Sequence, residues 1–123
     1  MVSPPVLFDT CILIDYLRGI PQARAECDRC GDRGISIVTW MEVLAGATAA
    51  QDDEARSFLL NFQLLPLTSE IAERAVKIRR SSKVKLPDAI IQATAQSEGR
   101  VLLTRNTRDF PASAPGIYIP YTL

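Results

Sequence analysis

Apolar residues along this chain gather in short blocks, and between the blocks they recur three and four positions apart. The first block, Pro5-Val-Leu-Phe-Asp9, is an unbroken apolar run that ends in an acid, and Thr10 to Leu17 follows with helical spacing. This predicts a buried strand running into a helix. Gly19 and Pro21 punctuate, Gln22 to Arg33 reads as a polar helix, and Gly34-Ile-Ser-Ile-Val38 as a second strand. Thr39 opens a helix through about Ala50, and Asp52 or Asp53 can cap another reaching Phe62. Leu64-Leu-Pro-Leu67 is a short third strand whose proline assigns it to a sheet edge. Ser69 caps a helix over Glu70 to Ser82, Lys83 to Leu86 connects, and Pro87 suits the first position of a helix ending near Gly99. Val101 to Thr104 and Ile117 to Ile119 complete the set of strands.

Strands alternating with helices, without hairpin signals, require crossover connections. The expected fold is α/β, a single domain over residues 1–123 with a mainly parallel sheet and helices on both faces. In such folds strand C-termini and helix N-termini meet along one edge, where ligand chemistry collects.

Composition narrows the chemistry. The chain has 123 residues, 47% of them hydrophobic, and its 14 basic residues balance 14 acidic ones, so no global field attracts a polyanion. Histidine is absent, which removes Ser-His-Asp and Cys-His catalysis and His-ligated zinc. The three cysteines, Cys11, Cys27 and Cys30, are too few and odd in number for a secreted disulfide scaffold, so a cytoplasmic location is expected. Cys27 and Cys30 read as partly buried thiols at helical spacing. No apolar stretch reaches the ~18 residues of a membrane span, and the first residues lack a signal-peptide pattern, which predicts a soluble, untargeted chain with no membrane partner.

Four carboxylates map to the same edge: Asp9 closes the first strand, Glu42 follows the second, Asp88 opens the helix before the fourth, and Asp109 follows the fourth. Two carboxylates ~4 Å apart repel by ~4 kcal/mol at an effective dielectric near 20, so gathering four requires protons or a cation. Oxygen-only donors select a hard ion, Mg²⁺ or Mn²⁺. Each acid also has a structural role open to it. Thr39-x-x-Glu42 fits a capping box, Asp88 suits a helix N-terminus, Asp9 can cap the Thr10 helix, and Asp109 suits a turn. Thr10 and Thr104 flank the acids, and Arg105 and Asn106 are candidates to touch phosphate. The remaining acids, Asp15, Asp28, Asp32, Asp52, Asp53, Glu54, Glu70, Glu73 and Glu98, are assigned to solvated faces or caps, as are Arg79, Arg80, Lys83 and Lys85, which could also hold a polyanion. Ile12, Leu13 and Leu17 could form a groove for a partner helix, with core burial as the default.

Phe8-Asp-Thr10, Thr39-Trp-Met-Glu-Val-Leu-Ala-Gly46, Leu86-Pro-Asp-Ala-Ile-Ile91 and Leu103-Thr-Arg-Asn-Thr-Arg-Asp-Phe110 together resemble the PIN-domain nucleases, and most closely the VapC-type toxins. The resemblance spans essentially the whole chain. It implies a three-layer α/β/α fold and a Mg²⁺- or Mn²⁺-dependent endoribonuclease, paired with a cognate antitoxin and usually homodimeric. Carried over by position, it makes Asp9, Glu42 and Asp88 the central metal ligands and Asp109 the fourth acid. Many relatives have aspartate where this chain has Asn106, so the second-metal side is less acidic here. The implied reaction is in-line attack by metal-activated water on RNA, leaving a 3′-hydroxyl and a 5′-phosphate. A binding module without catalysis is the alternative. A phosphoacceptor receiver domain fits poorly, because it needs an acidic pair after the first strand and a lysine where Arg105 stands.

Overall fold

The computed structural model describes residues 4–111 and 114–123. Five strands form one sheet in the order β3-β2-β1-β4-β5, and every adjacent pair is parallel. The strands are β1 (Val6–Phe8), β2 (Arg33–Ser36), β3 (Gln63–Leu65), β4 (Val101–Leu103) and β5 (Ile117–Tyr118). The helices are α1 (Thr10–Leu17), α2 (Pro21–Arg29), α3 (Ile37–Gly46), α4 (Asp52–Leu59), α5 (Ser69–Ser81) and α6 (Leu86–Ser97).

The sheet is buried on both faces. Along β1, Val6 and Phe8 enter a core shared with Ile12, Leu13, Ala23, Ala55 and Leu59 of α1, α2 and α4. Leu7 points the other way, into a core with Ile71, Ala75, Ala89 and Ile91 of α5 and α6. The period-two alternation of a strand thus supplies both cores of a three-layer α/β/α domain. β3 is an edge strand, as expected, although it ends at Leu65 and leaves Pro66 outside the ladder. Cys27 and Cys30 are buried free thiols, and burial pushes Cys27 up to about 12, where it is chemically inert.

The helix expected over Gln22 to Arg33 stops at Arg29, and Arg33 opens β2 instead; two further shifts bear on the site. β2 ends at Ser36 and α3 begins at Ile37, before the expected Thr39, because the Ser36 hydroxyl accepts the Val38 N–H at 3.1 Å and caps the helix. The β-branched Ile37 and Val38 imitate a strand that the cap overrides. Thr39 therefore lies inside the first turn, and the Thr39–Glu42 capping box does not form; a capping box does form between Thr48 and Gln51, at a separate 3-10 turn after α3. The second shift concerns α5. Arg74 reaches Gln96 at 3.3 Å while Ile78 and Gln92 line a common groove, so α5 and α6 are antiparallel. Since α6 leads down to the start of β4, α5 runs with the strands and ends at their carboxyl edge.

At the opposite edge, Arg100 ties three strands together by donating to Val6 O (3.1 Å), Asp32 (2.7 Å) and Gln63 (2.7 Å). A Cβ on Gly34 would lie 3.1 Å from the Arg100 guanidinium, so glycine there lets the arginine cross β2. Asp32, assigned to solvent from sequence, is part of this clamp, and Asp52 pairs with Arg56 one turn on. Ile12 and Leu13 are fully buried core residues. Leu17, with Ile14, Val43 and Ala47, lines a groove of about 340 Å³ between α1, α3 and α4. Among the described residues no helix is long and apolar enough to cross a membrane.

Candidate active site at the carboxyl edge of the sheet

β1 delivers Asp9 to the edge, where it is 4% exposed. Its Oδ1 accepts the Thr10 N–H at 2.8 Å and its Oδ2 accepts the Thr104 hydroxyl at 2.7 Å, with the Cys11 thiol at 3.5 Å. Burial raises the Asp9 carboxyl above its ordinary value, these hydrogen bonds pull it back in part, and the charge of Glu42 adds to the rise. The Thr104 oxygen accepts the Asn106 N–H at 3.0 Å. A chain of neutral donors therefore links β1 to the turn after β4.

Glu42 projects from α3. Its Oε1 accepts the Thr10 hydroxyl at 2.7 Å, and the buried Thr39 hydroxyl lies 3.0 Å from that of Thr10. Asp88 occupies the first turn of α6, whose first residue is Leu86 rather than Pro87. Its carboxyl is pushed up to about 6, first by burial, then by the charges of Asp9, Asp109 and Glu42. Asp109 is held by Asn106, whose Nδ2 donates at 2.9 Å and whose Oδ1 accepts the Asp109 N–H at 3.4 Å.

The four acids expected at one edge thus act on one another electrostatically. Among the described residues no three acids or thiols enclose a ready-made metal site, and none of the four acids enters an ion pair. The donor set itself suits a hard ion. All four groups are oxygen donors, histidine is absent, and the neighbouring Cys11 thiol is pushed up to about 11, which keeps it protonated and a poor ligand.

Arg105 does not point to this centre. Its guanidinium makes a two-pronged pair with Asp15 of α1, Nε to Oδ2 at 2.5 Å and Nη2 to Oδ1 at 2.8 Å, and the Tyr121 hydroxyl donates to Asp15 Oδ2 at 2.8 Å. Asp15 is 1% exposed. Assigned to solvent from sequence, it is instead a buried anchor, and Arg105, a candidate phosphate contact, is its counter-ion. The guanidinium holds the Asp15 carboxyl below the usual carboxylate range. Sequence contains a signal for this: Asp15 lies one turn beyond Cys11 and Ile12, on the buried stripe of α1, where a lone acid needs a partner. Thr39 was legible only as a cap, and the tail residue Tyr121 carried no local signal.

An all-parallel α/β/α sheet with four unpaired carboxylates at its carboxyl edge, and no histidine, defines a class of proteins built around an acidic centre. Residues 6–114 match the family model of the PIN domain. The chain belongs to the PIN domain family. It is 34% identical over 114 residues to Ribonuclease VapC10 of Mycobacterium tuberculosis, covering 86% of each chain. It is similar to a chain of a toxin-antitoxin complex from Klebsiella pneumoniae, at 44% identity and a TM-score of 0.90, covering 96% of this chain and 99% of that one. FitAcB from Neisseria gonorrhoeae shares the fold, at 23% identity and a TM-score of 0.80, covering 96% of this chain and 99% of that one.

Proposed function

We propose that this chain is a Mg²⁺- or Mn²⁺-dependent endoribonuclease that serves as the toxin of a toxin-antitoxin pair in the cytoplasm. Family membership, the relative named a ribonuclease and the similar chain from a toxin-antitoxin complex support the reading. The observation that carries it is the set of four neighbouring acids with no ion-pair partner, although Arg105 in the same loop is spent on Asp15. Charge gathered in this way and left uncompensated suits a divalent cation and a phosphate.

In this proposal Asp9, Glu42 and Asp88 hold the ion, with Asp109 as the fourth acid. Bound there, the ion supplies Lewis acidity to the scissile phosphate and makes water nucleophilic at neutral pH. Thr104 and the Thr10 N–H fix the Asp9 oxygens, the Thr10 hydroxyl fixes Glu42, and Asn106 fixes Asp109. Asp109, held by Asn106 beside Asp88, is suited to orient the attacking water. With no histidine to deprotonate a ribose hydroxyl, attack comes from water in line with the leaving oxygen.

The partner reading has a physical basis too. Unpaired carboxylates invite an arginine from an antitoxin, and the groove lined by Ile14, Leu17, Val43 and Ala47 offers an apolar seat beside α1 and α3. A homodimer is the proposed working unit of the toxin.

End-mapping of RNA incubated with purified protein tests the reaction. The expected result is cleavage that requires Mg²⁺ or Mn²⁺, stops with chelator, and leaves 5′-phosphate and 3′-hydroxyl ends. Ends carrying 2′,3′-cyclic phosphate would overturn the mechanism. Intact RNA together with no Mn²⁺ binding in calorimetry would favour a binding module.

A further inference from the structure

Six of the 14 basic residues, Arg74, Lys77, Arg79, Arg80, Lys83 and Lys85, fall in a single run that contains no aspartate or glutamate. The chain as a whole is neutral, so this is a segregation of charge and not a reflection of composition. All six are exposed. Among the described residues the ion-paired cations are Arg29, Arg56, Arg100 and Arg105, and none of the six is among them.

The direction of α5 determines where this charge goes. Because α5 runs toward the carboxyl edge of the sheet, its basic end comes to the side of that edge where Asp109 stands. There a groove of about 390 Å³ separates the end of α5 from the turn after β4, lined by Ser81, Ser82 and Lys83 on one wall and by Gln92, Arg108 and Asp109 on the other. Asp109 belongs to both places, since it faces this groove and also raises the Asp88 carboxyl. Gln92 stands one helical turn beyond Asp88. The groove is therefore continuous with the acids.

An acidic centre repels the polyanion it is meant to cut, except at the one phosphate an ion can bridge. Phosphates on either side need cations of the protein. Lys83 and Arg108, both exposed and both lining the groove, can supply them, while the Ser81 and Ser82 hydroxyls are spent on Ile78 O and serve to hold the end of α5 in place. None of the residues lining the groove is aromatic, which suits recognition of sugar and phosphate and not base stacking.

We infer that this groove is the track for the backbone of single-stranded RNA next to the scissile bond, with Lys83 and Arg108 as its phosphate contacts. The inference rests on the ribonuclease reading. It predicts binding that tolerates base sequence and weakens steeply with salt.

The test pairs two double variants, Lys83→Ser with Arg108→Ser, and as control Arg24→Ser with Arg29→Ser, which remove the same charge from α2. The probe is fluorescein-labelled random single-stranded RNA, titrated by anisotropy on an Asp88→Asn background between about 50 and 200 mM KCl. Loss of two phosphate contacts should flatten the slope of log K against log salt by about 1.4 and weaken binding about tenfold at the low-salt end. In the cleaving protein the same pair should lose activity mainly through KM, and the control pair should change neither quantity. A groove pair that behaves like the control overturns the inference while leaving the ribonuclease reading in place. So does a pair that weakens an acidic protein partner and leaves RNA binding untouched. If the unsubstituted protein cuts no RNA, the ribonuclease reading falls, and the anisotropy slopes, which need no cleavage, still decide the groove.

Discussion

Asp9 and Asp15 stand on one continuous segment, the first at the end of β1 and the second at the middle of α1, and both are buried. Asp15 is met by a two-pronged guanidinium and a phenol. Asp9 is met by an amide, a hydroxyl and a thiol, all neutral. The carboxyl of Asp15 accordingly sits below its ordinary value and that of Asp9 above it. Neutral donors orient a carboxylate without cancelling its charge, whereas a bidentate arginine does both. A buried acid of the first kind keeps affinity for a cation from outside; one of the second kind has already been given its cation by the fold.

The contrast is broken most strongly at Asp88, which shares the centre with Asp9. Asp88→Asn should lower RNA cleavage by about a thousandfold, as removal of one charge-stabilising group from a catalytic centre does, while thermal melting at neutral pH stays equal or rises. Cleavage near the unsubstituted level would remove Asp88 from the centre. Next comes Asp15→Ala, which strips Arg105 and Tyr121 of their common partner. It should cost about 3 kcal/mol in urea unfolding, within the range for breaking a buried pair and tempered because the Arg105 side chain keeps 32% of its surface in water. An unchanged midpoint would show that the anchor is dispensable.

Glu42→Gln should have a smaller effect. Gln still accepts the Thr10 hydroxyl but carries no charge, so melting should hold while metal-dependent cleavage falls by about a hundredfold. Loss of stability with retained activity would return Glu42 to a structural role. The smallest expected effects are those of pH, and the two acids give them opposite sign. Asp88, raised from 3.8 to about 6 in the folded chain, binds its proton more tightly folded than unfolded, so its contribution to stability declines as pH rises across that interval. Asp15 is depressed in the folded chain, so its contribution is present above the unfolded carboxylate pKa and disappears as pH falls through the lower folded value. Denaturant midpoints of metal-free protein, followed with pH, should show a shallower first slope in Asp88→Asn, the remainder coming from the raised Asp9 carboxyl, and should lose the acid-side loss in Asp15→Asn.

Much of this was legible in the order of residues. The alternation of apolar blocks with helical stretches, the proline near β3 and the absence of histidine are local or compositional facts; the first two point to the parallel sheet and its edge strand, and the last rules out imidazole ligands and bases. The start of α3 was misread because β-branched residues followed Ser36, and one cap hydrogen bond outweighs that propensity. Arg105 was misassigned because a guanidinium beside candidate catalytic residues serves phosphate and buried acid equally well.

Sequence alone determined which chemistries were possible, because strand and helix periods and the available side chains are written residue by residue. Only the tertiary structure decided how the charges were shared out: that Arg105 neutralises Asp15 and not Asp9, and that α5 turns its basic end toward the acids. Electrostatic energy depends on distance through space, and residues 90 positions apart become partners only once the chain has folded.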